Sequence, residues 1–124
     1  MRRFLVIAAL ISAAPALAKA SEPAPAAVPT GAPVNCIRTS SIRSTNVVDD
    51  QTIDFVMNGR QTFRNTLPNK CPQLGFERSF GYSTSVNQLC SVDIITVLVQ
   101  GGGINRGASC GLGKFVPIAT PARK

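Results

Sequence analysis

The chain has 124 residues, 44% of them hydrophobic and 15% charged, with thirteen lysines and arginines, six acids and no histidine. That length holds one small domain and no more. Without histidine, the commonest general base and every histidine-based triad are excluded, and the dispersed basic residues make no cluster or stripe, so no nucleic-acid partner is expected.

In chain order, the first element is an export signal. Arg2 and Arg3 precede an apolar stretch from Phe4 to Ala18, and two small-x-small sites follow, Ala16-Leu17-Ala18 and Ala18-Lys19-Ala20. The run is too short and too abruptly ended to span a bilayer. No cysteine follows either site, which argues against a lipid anchor. Cleavage is expected after Ala20, giving a periplasmic or secreted protein that does not span the membrane once mature. Arg2, Arg3 and Lys19 would leave with the signal, so ten basic residues stand against six acids and the net charge falls from +7 to +4. A charge of that size gives an anionic partner a modest, salt-sensitive attraction.

Residues 21–35 read as a linker. Pro23, Pro25, Pro29 and Pro33 lie among alanines with one charge, Glu22, a composition that favours extended, solvated backbone. Between Cys36 and Ile118 the texture is that of short strands, rich in Thr and Val and punctuated by glycine, with no helical stripe. Strands are predicted near 41–48, 51–57, 60–67, 76–83, 91–99 and 114–118. Asn58-Gly59 marks a hairpin. A three-residue loop of Met57, Asn58 and Gly59 sets Ile53 opposite Phe63 and Asp54 opposite Thr62, which keeps one face apolar. Leu67 to Gly75, with Pro68 and Pro72, has room for one helical turn. Phe76, Phe80 and Tyr82 share parity with Arg78 on one predicted strand and read as core. Val92 to Val99 is apolar on both faces, the pattern of a central or wrapped strand. Gly101-Gly102-Gly103 ends it, Asn105 to Gly113 reads as loop, and residues 119–124 as a flexible tail.

Four cysteines in a short exported chain predict two disulfides, and a core of this size needs such staples. With no histidine and no C-x-x-C pair, a zinc site is not expected. If consecutive strands run up and down, Cys36 and Cys90 fall at one end and Cys71 and Cys110 at the other. Bridging needs close Cα atoms, so Cys36–Cys90 and Cys71–Cys110 are the compatible pairs.

The spacing of these residues resembles a family of small exported bacterial proteins that carry a domain of unknown function. The resemblance lies in Cys36, Ile42, and Val48-Asp49-Asp50 leading through Thr52 and Ile53. It continues in Leu67-Pro68 with Cys71-Pro72 and Leu74, in Leu89-Cys90 with Asp93 and Ile95, and in Cys110 with Leu112-Gly113 and Phe115. It covers residues 36–118. It implies a periplasmic or surface location in a Gram-negative bacterium, and it implies no activity and no catalytic residue.

The remaining chemistry rests on carboxylates and arginines. Asp49-Asp50-Gln51 sits between two predicted strands, where aspartate side chains bond the backbone of turns. A calcium loop would need more closely spaced oxygen ligands and a glutamate. Asp93, if it points inward, needs a partner such as Arg78 or Arg43. The glycines at 101–103 and 107–113 are followed by no P-loop lysine in register. No catalytic, cofactor-binding or metal-ligating residue is therefore assigned.

The expected architecture is one all-β domain over 36–118: a small antiparallel barrel or curled sheet of five to six strands, OB-like in one form, stapled by two disulfides. An OB-like fold is an analogy that names no ligand. Export, small size and the scarcity of catalytic groups point to a non-enzymatic module that binds a protein or other envelope component. The alternative is a binder of anionic glycan or lipopolysaccharide through Arg43, Arg60, Arg64 and Arg78. A carboxylate-based hydrolase using Asp50 and Asp54 ranks last.

Overall fold

The computed structural model describes residues 27–119. The predicted export signal and the predicted tail beyond Ala119 lie outside the described residues. Among the described residues nine strands occur, β1 (Cys36–Arg38), β2 (Ile42–Asp49), β3 (Thr52–Met57), β4 (Thr62–Thr66), β5 (Phe80–Tyr82), β6 (Gln88–Cys90), β7 (Ile94–Gln100), β8 (Ile104–Gly111) and β9 (Phe115–Ile118). A single helical turn, α1 (Leu74–Glu77), and a 3-10 turn at Thr39–Ser41 interrupt them.

All pairings are antiparallel, in three sheets ordered β2-β3-β4-β9, β5-β7-β8 and β1-β6. The chain is thus all-β and antiparallel as expected. The strands do not close into a barrel, and their number exceeds the five to six expected. The excess comes from segments with little sequence signal. β1 and β6 are three residues each, and β8, expected as loop, is built largely of small and polar residues. Pairing with β7 makes β8 a strand, because the ladder satisfies its backbone whatever its side chains prefer.

Both expected disulfides are present. Cys36 and Cys90 face one another across the β1–β6 ribbon, and Cys71 ties the segment before α1 to Cys110 on β8. The core lies between the sheets and centres on Phe55, which meets Phe80 and Phe115 edge to face at 6.1 and 5.4 Å between centroids. Ile53, Leu67, Leu74, Leu89, Ile95 and Val97 are fully buried around it.

The β3–β4 hairpin differs from the expected register. Its loop is Asn58-Gly59-Arg60, closed by the Met57 amide donating to the Gln61 carbonyl at 2.7 Å. Phe55 therefore opposes Phe63, Asp54 opposes Arg64 and Ile53 opposes Asn65, in place of Ile53–Phe63 and Asp54–Thr62. The loop moved by one position because Arg60 joins Gly59 in the left-handed region, at φ 62° and 81°. The slip of two residues leaves every side chain on its expected face.

Two further expectations are corrected. The predicted strand over 76–83 is α1 followed by a three-residue strand. Gln73 and Arg78, both left-handed, bound the turn, and Phe76 stands 86% exposed on it, outside the core. The segment expected to be a solvated linker lies along β9 in its described part. Thr30 and Val34 donate their amides to the carbonyls of Pro117 and Phe115, and the Ala119 amide returns to Val28. Its backbone occupies what would otherwise be a free sheet edge.

Candidate functional site

β7 is the central strand of its sheet, which agrees with its apolar character on both faces. Ile95 and Val97 point into the core with no exposed surface. The opposite face, carrying Ile94, Thr96 and Leu98, is open. Ile94 is 59% exposed, and Val92 just before the strand is 85% exposed. The neighbours across the ladder are low: Gly81 opposes Thr96 on one side, and Ser109 and Gly111 oppose Thr96 and Ile94 on the other. The absence of bulk on both flanks leaves an open groove of about 500 Å³ along β7. Its lining includes Gly81, Ile94, Thr96, Leu98, Asp93 and Arg106, with Tyr82 at the rim.

The polar chemistry of the groove is graded along its length. At one end, Asp93 is half-buried, and its Oδ2 accepts the Cys90 amide at 2.6 Å. This backbone bond takes the place of the arginine partner expected for it. In the middle, the hydroxyls of Thr96 and Ser109 lie 3.1 Å apart. At the other end, Arg106 stands opposite Leu98, exposed and with no partner among the described residues. The groove thus offers apolar contact, two hydroxyls and one uncommitted cation, a set suited to holding a partner.

The four arginines read from the sequence are not gathered into one surface. Arg43 occupies a bulge of β2 near the hairpin end, and Arg60 lies in the hairpin loop. Arg64 is tied to Asp54, Nε to Oδ1 at 2.8 Å and Nη2 to Oδ2 at 2.9 Å, with both side chains largely buried. That hydrogen-bonded carboxylate raises the guanidinium above its ordinary value against the opposing effect of burial. Arg78 caps α1 at the far end of the sheet, where the Gly75 amide donates to Asp50 Oδ1 at 2.7 Å. The length of β3 separates the two ends, about 20 Å of extended chain.

The acids are equally committed. Asp49 Oδ1 accepts the Gln51 amide at 2.8 Å, the turn role expected of it. Asp50 holds α1, and Asp54 holds Arg64. The sequence reading missed Arg106, Thr96 and Gly81 as site residues. The signal that could have found them was the two-sided apolarity of β7, had its outer face been considered uncovered. Compared with known proteins, the chain matches no family model, no curated protein and no solved structure.

Proposed function

We propose that this chain is a non-enzymatic binding module of the bacterial cell envelope, holding a protein or other envelope component on the open face of the β5-β7-β8 sheet. The observation that carries the reading is the open face of β7, on a strand whose other face is core. Exposed Val92 and Ile94 stand at one end of it and Arg106, without a partner among the described residues, at the other. Contiguous apolar surface rimmed by polar groups is the common form of an interaction site. Two disulfides support an oxidising compartment, and the apolar N-terminal segment, read as an export signal, supports the periplasm or the exterior. Among the described residues no helix is long and apolar enough to cross a membrane.

The test is capture from a solubilised envelope extract, using the oxidised chain without residues 1–20 and the same chain carrying Ile94→Lys. A defined partner retained at high salt and lost with Ile94→Lys is expected. Capture that Ile94→Lys leaves unchanged would overturn the assignment of this face. Glycan or lipid captured only at low salt would favour the anionic-ligand alternative, against which the dispersal of Arg43, Arg60, Arg64 and Arg78 already counts.

A further inference from the structure

We infer that the open face of the β5-β7-β8 sheet closes on the same face of a second copy of this chain when no other partner occupies it. The inference rests on the reading of that face as the binding surface and concerns its regulation.

The pattern along the groove is self-complementary. Asp93 lies at the start of β7, Arg106 lies beside Leu98 near its end, and Ile94, Thr96 and Leu98 run between them. Two copies related by a twofold axis across the strands place each Arg106 over the other copy's Asp93. The same operation sets Ile94 on the second copy's Leu98 and Thr96 on its counterpart. An axis along the strands would instead oppose Arg106 to Arg106, and like charges brought together at an interface are costly. The charges therefore select one of the two ways of stacking the sheets, and a twofold contact needs such a self-matching patch.

The relief of the surface also permits the approach. Packed sheets sit about 10 Å apart, with side chains of the two faces interdigitating. Gly111 carries no side chain beside Ile94, so Leu98 of a second copy has a depression to enter, and Gly81 leaves room beside Thr96 for the second copy's Thr96. A methyl at Gly81 would meet only the Leu98 side chain, at ordinary contact distance of 3.9 Å, so the glycine leaves space that folding does not need. The groove is far smaller than the 20–30 residues a side of a standard stable interface. The expected dimer is accordingly weak and reversible, and an envelope partner displaces it by competing for the same residues.

Sedimentation velocity on the oxidised chain without residues 1–20, from about 1 µM to about 500 µM, tests this directly. The expected result is a concentration-dependent monomer–dimer equilibrium. Arg106→Asp and Ile94→Lys should each raise the dimer Kd by about tenfold or more, and Arg106→Lys should largely preserve it. A monomer across the whole range overturns the inference, as does a dimer that neither Arg106→Asp nor Ile94→Lys weakens. Should Ile94→Lys not fold, as read from its disulfide map and circular dichroism, the exposed Arg106→Asp carries the test. A monomeric protein that still captures an envelope partner through Ile94 overturns self-association alone. A dimer with no envelope partner supports self-association and overturns the reading of the previous subsection.

Discussion

The side-chain amide of Asn65 holds both backbone groups of Gly113: Nδ2 donates to the Gly113 carbonyl at 2.7 Å, and Oδ1 accepts the Gly113 amide at 2.8 Å. Asn65 is fully buried, with Ile53 opposite on β3 and Phe115 opposite on β9. The next amide back along the chain, that of Leu112, donates to the Asp93 carbonyl at 3.1 Å. The crossing from the groove sheet to the larger sheet is therefore fastened by backbone bonds at consecutive residues. This position keeps the open face of β7 in register with the core beneath it.

Replacing Asn65 with leucine should cost about 2–4 kcal/mol, because two part-buried backbone groups lose their partners. Gly113→Ala should be at least as severe, since a methyl there would collide with the Thr66 carbonyl. Urea denaturation of the two variants checks both, and a loss below about 1 kcal/mol in either would refute the account.

The Asp54–Arg64 pair gives a second prediction. Arg64→Leu should destabilise by about 3 kcal/mol by leaving a buried carboxylate without its partner, and the double variant Asp54→Leu/Arg64→Leu should recover much of that loss. A double-mutant cycle measures the coupling. Because the Arg64 pKa is raised in the folded state, its contribution is complete below the unfolded value and lost only as pH rises through the folded one. As far as Arg64 determines it, the stability of the pair is flat through neutral pH.

Each disulfide closes a long loop, of sequence separation 54 for Cys36–Cys90 and 39 for Cys71–Cys110. The chain-entropy relation gives about 4 kcal/mol for each. Paired Cys→Ala variants should show comparable losses in thermal or denaturant unfolding, and non-reducing peptide mapping should return only these two linkages. A Cys71–Cys90 peptide would contradict the connectivity.

The segment lying along β9 yields the fourth prediction. The amides of Val34 and Phe115, each hydrogen-bonded to the other's carbonyl, should exchange slowly with deuterium, as should that of Thr30. Deleting residues 21–34 should speed exchange at Phe115 and promote association through the uncovered edge. Fast exchange at Val34 in the intact chain would return this segment to the role of a free linker.

Several features were legible in the sequence for local reasons. The period-2 alternation in β3 and β4 identifies which residues share a face, and the Asn58-Gly59 pair locates the reversal. The register between them was not legible, because a slip of two residues preserves every face. Only three-dimensional contacts, Phe55 against Phe63 and Asp54 against Arg64, distinguish the two alignments. The cysteine pairing came out as expected although its premise did not. β8 runs back along β7 and sets Cys110 opposite Ile95, at the end of β7 that follows Cys90, so the four cysteines are not divided between two ends by simple up-and-down order.

What the sequence determined by itself was the all-β class, the turn role of Asp49 and the central place of β7, each encoded in residues near one another along the chain. It also determined the presence of two staples, which the cysteine count alone gives. Tertiary structure alone decided that Asn105 to Gly111 pairs as a strand, that Pro29 and Val34 line β9, and that the outer face of β7 stays open. Those outcomes depend on which distant backbone groups and apolar surfaces meet, and residue propensity carries no record of such long-range pairing. The exposed Ile94, the low Gly81 and the uncommitted Arg106 become one surface only when β5, β7 and β8 are assembled.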